Sequence, residues 1–146
     1  MNRNAPENSG VIGRIVEDGF PVIYSFESDL PPPPIIQSLS LLTVVSWQYD
    51  GSSNNGMPPT DVNEQMVDLE DAIEDHQWRG SLYRAYGRTG NGLKELVYYI
   101  ASQEAFLEGI NAALAGRPRF PIKITFYPDA AWDDLKRVQA DFAAKV

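Results

Sequence analysis

Cysteine is absent from this chain, and histidine occurs once. The first absence excludes disulfides, thiolate nucleophiles and cysteine-ligated zinc or iron–sulfur centres. It also favours a reducing compartment, where disulfides are rare. The second leaves His76 as the one imidazole for a serine–histidine pair or a histidine-held metal. Long apolar runs are missing too. The longest, residues 39–47, is interrupted by Ser40, Thr43 and Ser46 and falls far short of the ~20 residues that cross a bilayer. Residues 1–10 are polar, without the apolar stretch of a secretory leader, and read as a disordered tail. With neither leader nor span, the expectation is a cytoplasmic protein with no membrane partner.

Basic residues are also scarce. Twelve Lys and Arg stand against 20 Asp and Glu, a formal charge of −8. Nucleic acid and anionic membranes are both held through Lys and Arg, so the deficit argues against either. It suits a basic protein partner, and it also keeps a protein soluble. The 146 residues fit one domain, 11–146, and a chain of this size buries roughly 68–70% of its unfolded surface.

What is present is strongly patterned. Residues 11–16 and 21–26 are β-rich runs around Glu17-Asp18-Gly19, and Asp-Gly between such runs signals a hairpin. An isolated hairpin is marginal in water, so this one, 11–26, should extend the main sheet. Four prolines at 31–34 favour a stiff polyproline II linker. Residues 38–49 form the strongest strand, with Leu39, Leu41, Thr43, Val45 and Trp47 alternating with Leu42 and Val44. Apolar side chains on both faces place it inside a sheet covered on both sides. After a Gly-, Ser-, Asn- and Pro-rich loop at 50–59, a helix starts at Thr60 or Asp61, with Asp61 and Glu64 at capping-box spacing. Its buried stripe is Val62, Met66, Leu69 and Ile73. Residues 82–88 and 93–100 are strands joined by Thr89-Gly90-Asn91-Gly92. Ser102 caps a second helix with Phe106, Leu107, Ile110 and Leu114 inward, stopped near Gly116 and Pro118. Phe120, Ile122, Ile124 and Phe126 alternate as a last strand. Asp129 then caps a terminal helix carrying Trp132, Leu135, Val138 and Phe142 on one side.

From 38 to 127 the order is β-α-β-β-α-β, the ferredoxin-like signature. The expected fold is therefore an α+β ferredoxin-like sandwich with an added N-terminal hairpin and a C-terminal helix, 129–144. Right-handed crossovers place the first and third core strands in the middle. Helices at 61–75 and 103–115 should cover one face. The other face is apolar as well, so the terminal helix or a second subunit must cover it. The helix is the stronger candidate because its stripe is otherwise unexplained, and a homo-oligomer stays open.

Several short motifs support a resemblance. They are Gly56-Met57-Pro58 ahead of an acidic helix with Leu69-Glu70-Asp71, Thr89 through Glu95 leading into Val97-Tyr98-Tyr99, and Pro121 through Ile124 followed by Pro128 through Trp132. Together they resemble the bacterial family catalogued as domain of unknown function 695, from about Val11 to Val138. The family usually has Asp-Pro before its Trp-containing helix, where this chain has Pro128-Asp129. A fold-level similarity links the chain to the small, acidic protein inhibitors of ribonuclease E; fold alone does not carry function.

The chemical constellations are thin. His76 follows Glu74-Asp75 at a helix C-terminus, where the dipole favours a cation. No Ser sits in a nucleophile elbow. Gly87, Gly90 and Gly92 lead into a strand rather than a helix, which removes the phosphate-loop reading. Asp61, Glu64, Asp68, Glu70, Asp71, Glu74 and Asp75 crowd one helix. Their spacing would let some share a cation, but opposite an apolar stripe they form a solvated acidic face, available for docking. Arg79, Arg84, Arg88 and Lys94 lie among Tyr83, Tyr86, Tyr98 and Tyr99, a pattern similar to an RNA-binding sheet. The net charge, the missing recognition motif and the two-sided central strand oppose that reading. No catalytic residue, cofactor site or metal ligand is assigned. The leading expectation is a non-enzymatic protein-interaction or regulatory module, with Glu64, Asp68, Asp71, Asp75, Arg84, Arg88 and Lys94 as its candidate surface. The alternative is a small-molecule-binding protein or enzyme with a pocket near 50–59. RNA binding through the 79–99 hairpin ranks last.

Overall fold

The computed structural model describes residues 10–143; the tail reading for the residues before Gly10 lies outside them. Six strands and four helices alternate in the order β1 (Gly10–Glu17), β2 (Phe20–Glu27), α1 (Pro33–Ser38), β3 (Leu41–Gln48), α2 (Thr60–Asp75), β4 (Leu82–Gly90), β5 (Leu93–Ile100), α3 (Gln103–Ala113), β6 (Lys123–Pro128) and α4 (Asp133–Ala143). Asp18 and Gly19 (φ 53° and 85°) close the first hairpin, and Asn91 and Gly92 (φ 50° and 77°) close the second. Positive φ at both central residues is the type I′ turn, whose twist matches the flanking strands.

The fold is α+β. All strands join one antiparallel sheet in the order β1-β2-β4-β5-β3-β6. β3 lies inside it between β5 and β6, as its two-sided apolar pattern requires. The N-terminal hairpin extends the sheet by pairing β2 with β4, from Val22 opposite Gly90 to Phe26 opposite Tyr86. Each face has its own core. On one, Val45, Trp47, Leu96, Tyr98 and Ile100 meet Met66, Leu69 and Ile73 of α2 and Phe106 and Ile110 of α3. On the other, Leu42, Val97, Tyr99, Tyr86 and Phe26 meet Trp132 and Leu135 and Val138 of α4, with Phe142 packed alongside. The terminal helix therefore covers the second face.

Some local readings change. Pro32 keeps polyproline II angles (φ −58°, ψ 152°), but Pro33 and Pro34 open α1, because proline has no N–H to lose in a first helical turn. Leu39 does not share a face with Trp47. It follows α1, outside β3, where strand alternation does not apply, and it is buried in the Trp132 core. The Asp61–Glu64 capping box does not form: Pro59 is the N-cap with no side-chain bond, which moves Asp61 into the first turn. Leu107 is exposed and Gly109 is buried instead, because the Trp78 ring lies directly over Gly109. Asp129 does receive the start of the last helix, but from four residues upstream. Its Oδ1 accepts from Asp133 N–H at 2.9 Å, and its Oδ2 accepts from Asp134 N–H at 3.0 Å and from the Tyr99 hydroxyl at 2.7 Å. Helix start and central strand are thus fastened at one carboxylate.

Candidate interaction surface

The four basic residues flanking the second hairpin do not form one patch. A register shift between Arg84 and Tyr86 marks a bulge in β4. Across it the side chains change faces. Arg84 lies opposite Tyr98, on the α2 side, while Arg88 lies opposite Glu95, on the α4 side.

Arg84 is held by two elements at once. It pairs with Glu70 at 3.3 Å and Glu74 at 3.2 Å on α2, and it donates to the Ser25 hydroxyl at 2.8 Å on β2. Gly87 leaves room for it, since a Cβ there would sit 2.8 Å from the guanidinium and the arginine tip would have to shift. Lys94 approaches Glu70 at 3.8 Å, and the Tyr98 hydroxyl donates to Glu74 at 3.2 Å. Burial pushes the Glu74 carboxyl up to about 6, and repulsion from Glu70 adds to this against the pull of Arg84. Burial likewise lowers Lys94, offset by Glu70. Burial holds the Tyr98 phenol well above its ordinary value, with the Glu74 and Glu70 charges adding to it.

Arg88 is 5% exposed. It meets Glu17 at 3.0 Å and donates to the carbonyls of Gly90 at 3.0 Å and Leu93 at 2.9 Å. Asn91 donates to the same Glu17 at 2.8 Å and to Asp18 at 3.2 Å. The Asn91 bond, with the Arg88 charge, holds Glu17 below the usual carboxylate range. These contacts tie the two type I′ turns together. The 50–59 loop joins them: Gly92 N–H donates to Gly56 O at 2.9 Å, and the Tyr49 hydroxyl donates to the same oxygen at 2.6 Å.

Glu64, Asp68, Asp71 and Asp75 behave differently. All four are exposed, and among the described residues none of their carboxylates enters an ion pair. They follow one another at i, i+4, i+7 and i+11, a single stripe along a helix. His76 is the C-cap of α2, its ring edge-on to Trp78 at 4.8 Å. Tyr86, Tyr98 and Tyr99 are buried, on two different faces, so they offer bases no open surface on which to stack. Among the described residues, no group of three or more His, Asp or Glu is placed to hold a metal, and no helix is long and apolar enough to cross a membrane.

Sequence reasoning missed one surface. Ile12 and Val16 of β1 are 79% and 69% exposed, with exposed Arg14 between them. The alternation in β1 marks a strand, but nothing local tells how far the helical layer reaches.

A family model described as a family of unknown function (DUF695) matches residues 13–136. The chain belongs to this family. No curated protein and no solved structure matches it. In this DUF695 chain the motif residues Gly56 and Trp132 are anchors of the fold. A Cβ on Gly56 (φ 84°) would lie 3.1 Å from the Asn91 nitrogen. Trp132 stacks on Tyr99 with ring centroids 3.9 Å apart and 5° between planes, and its Nε1 donates to Leu39 O at 2.8 Å.

Proposed function

We propose that this DUF695 protein is a non-enzymatic interaction or regulatory module that meets a basic protein partner through the outer stripe of α2. One observation carries the reading. Glu64, Asp68, Asp71 and Asp75 point outward without counter-ions, while Arg84, Arg88 and Lys94 are engaged inside the fold. The stripe runs about 16 Å along a helix at 1.5 Å per residue. The buried Met66, Leu69, Ala72 and Ile73 hold that helix rigidly. A fixed row of like charges steers oppositely charged partners and sets orientation more than raw affinity. The cysteine-free composition suits a reducing, cytoplasmic setting.

The test is charge reversal of Glu64, Asp68, Asp71 and Asp75 to Lys, with circular dichroism confirming the fold. Binding partners should be lost on the variant, and on the wild type they should weaken with salt. Partners retained equally by both proteins would overturn the reading. The alternative, a small-molecule role, is expected near the 50–59 loop, and one cleft that could serve it lies outside that loop, on the opposite face. There Ser46, Gln48, Leu93, Glu95, Pro121, Ile122 and Lys123 line an open cleft of about 550 Å³, and burial raises the Glu95 carboxyl. A thermal-shift screen with metabolites and nucleotides tests it, because a bound ligand raises stability by mass action.

A further inference from the structure

β1 is an edge strand that is unusually well prepared to accept a neighbour. It pairs with β2 one-to-one over eight residues, from Gly10 opposite Glu27 to Glu17 opposite Phe20, without a bulge. Among the described residues its other edge pairs with nothing. It contains no proline, and its one charge on the helix-layer side is Arg14. Edge strands are usually blunted by proline, bulges, shortness or inward charge. β6, at the far edge, is blunted in this way: it has six residues, starts at Lys123 and ends at Pro128. β1 also carries the two most exposed large apolar side chains among the described residues, Ile12 and Val16, on one face. On the other face it packs against α4, whose Phe142 ring lies against Gly13. A regular strand with free main-chain donors and acceptors and an uncovered aliphatic pair is the surface used in strand addition.

The surroundings select the occupant. Exposed Asp18 stands at one end of the edge and exposed Asp29 just beyond the other, while Glu17 is already engaged by Arg88 and Asn91. A second copy fits poorly. The two-fold antiparallel pairing that sets Ile12 against Val16 also sets Arg14 against Arg14, and like charges directly opposite are destabilising. Sliding one step either way puts Arg14 against Ile12 or Val16 and breaks the apolar match. It would also join two chains of charge −8. We infer that β1 receives an extended segment of a different protein, with aliphatic residues on alternate positions and Lys or Arg toward its ends. The inference rests on the interaction-module reading and adds to it the docking edge and the chemistry of the segment.

The probe is a short peptide with valine on alternate positions, serine between them and lysines at both ends, titrated into the ¹⁵N-labelled full chain. Two controls accompany it: the same peptide with glutamates in place of its lysines, and a block peptide with its valines consecutive. The lysine-ended alternating peptide should shift the β1 and β2 amides. Its binding should weaken roughly tenfold in Ile12→Lys/Val16→Lys, a loss of about 1.4 kcal/mol, and the glutamate peptide should bind at least as weakly. Both substituted sites are exposed, so the variant should keep its spectrum. Equal binding of the block peptide would mean charge attraction alone and overturn the inference, as would shifts confined to α2. A dimer that disappears in the β1 variant, seen by sedimentation, would make a second copy the occupant and also overturn it. A cellular partner lost on reversal of the α2 stripe but retained by the β1 variant would sink the strand inference and leave the module reading standing. Retention by both variants would sink both.

Discussion

The second sheet face should stand or fall with Trp132, because three separate interactions end on that buried side chain. It is fully buried, stacks on Tyr99, tilts against Tyr83 at 5.2 Å and donates to Leu39 O. Trp132→Ala leaves a cavity under α4, and truncating a buried Trp costs about 3–5 kcal/mol. The orphaned Leu39 carbonyl adds about 1 kcal/mol, for a total of about 4–6 kcal/mol. A domain holds only about 5–15 kcal/mol, so the variant should sit close to its unfolding transition. With a urea m-value of about 2 kcal/mol/M, the midpoint should drop by about 2–3 M. Trp132→Phe keeps the stacking partner for Tyr99 and should lose about 1–2 kcal/mol, from the hydrogen bond and the missing ring volume. Trp132 is also in the left-handed region (φ 61°), which alanine tolerates no better than tryptophan. Glycine does tolerate it, so Trp132→Gly should be no worse than Trp132→Ala. Urea unfolding followed by circular dichroism reads all three, with sedimentation run alongside. A loss below about 1 kcal/mol for Trp132→Ala, set against the core-truncation range, with a dimer that persists, would refute the assignment of α4 as the cover. A partner subunit would then take its place.

Three other outcomes follow from the same contacts. Glu74 has a folded pKa raised from 4.5 to about 6, so its contribution to stability is complete below pH 4.5 and is lost as pH rises through 6. The stability of Glu74→Gln relative to wild type should therefore improve between pH 4.5 and pH 7, and denaturant titrations showing the opposite slope would contradict the assignment. Asn91→Ala removes a residue that accepts the φ of a type I′ turn and cuts its bonds to Glu17 and Asp18. It should cost about 1–2 kcal/mol, with Asn91→Gly milder, as thermal melts will show. Gly109→Ala drives a methyl into the Trp78 ring. It should cost about 1–3 kcal/mol by overpacking and alter Trp78 fluorescence, whereas exposed Ala112→Gly should cost no more than about 1 kcal/mol.

Local signals carried most of the architecture. Alternation at period 2 in residues 41–48 and the Asp18-Gly19 and Asn91-Gly92 pairs gave strands and turns, because each acts within a few residues. The stripe of Leu135, Val138 and Phe142 identified α4 as a cover because a helix face that apolar must bury. The surface was less legible. Strict alternation puts Arg84, Tyr86 and Arg88 on one face, and the bulge before Tyr86 breaks that rule in the middle of the strand. The ion pairs of Arg84 with Glu70 and Glu74 join a helix to a strand across the core, which no helical or strand spacing announces. Of the seven residues singled out as an interaction surface, the four acids remain free on α2. Arg84 and Lys94 are absorbed under that helix, and Arg88 is locked behind the turns.

The ledge at β1 follows from a mismatch of widths. Six strands at about 4.8 Å spacing span roughly 24 Å between outer axes. Two helices of about 10 Å diameter cover about 20 Å. On the α2–α3 side the helices sit over the β4-β5-β3-β6 part of the sheet, so the shortfall lands on the hairpin. On the opposite side the single helix α4 reaches from Leu42 to the hairpin, so the shortfall lands near β6. The two bare strips thus lie at opposite edges on opposite faces, and they differ in chemistry. The strip near β6 presents Ser46, Gln48, Glu95 and Lys123, side chains that water satisfies. The strip at β1 presents Ile12 and Val16 beside an unpaired backbone. Water satisfies the backbone there but not the side chains. Only a strand with its own alternate aliphatic residues satisfies both at once, which is the reason for placing the proposed segment at β1 rather than in the polar cleft.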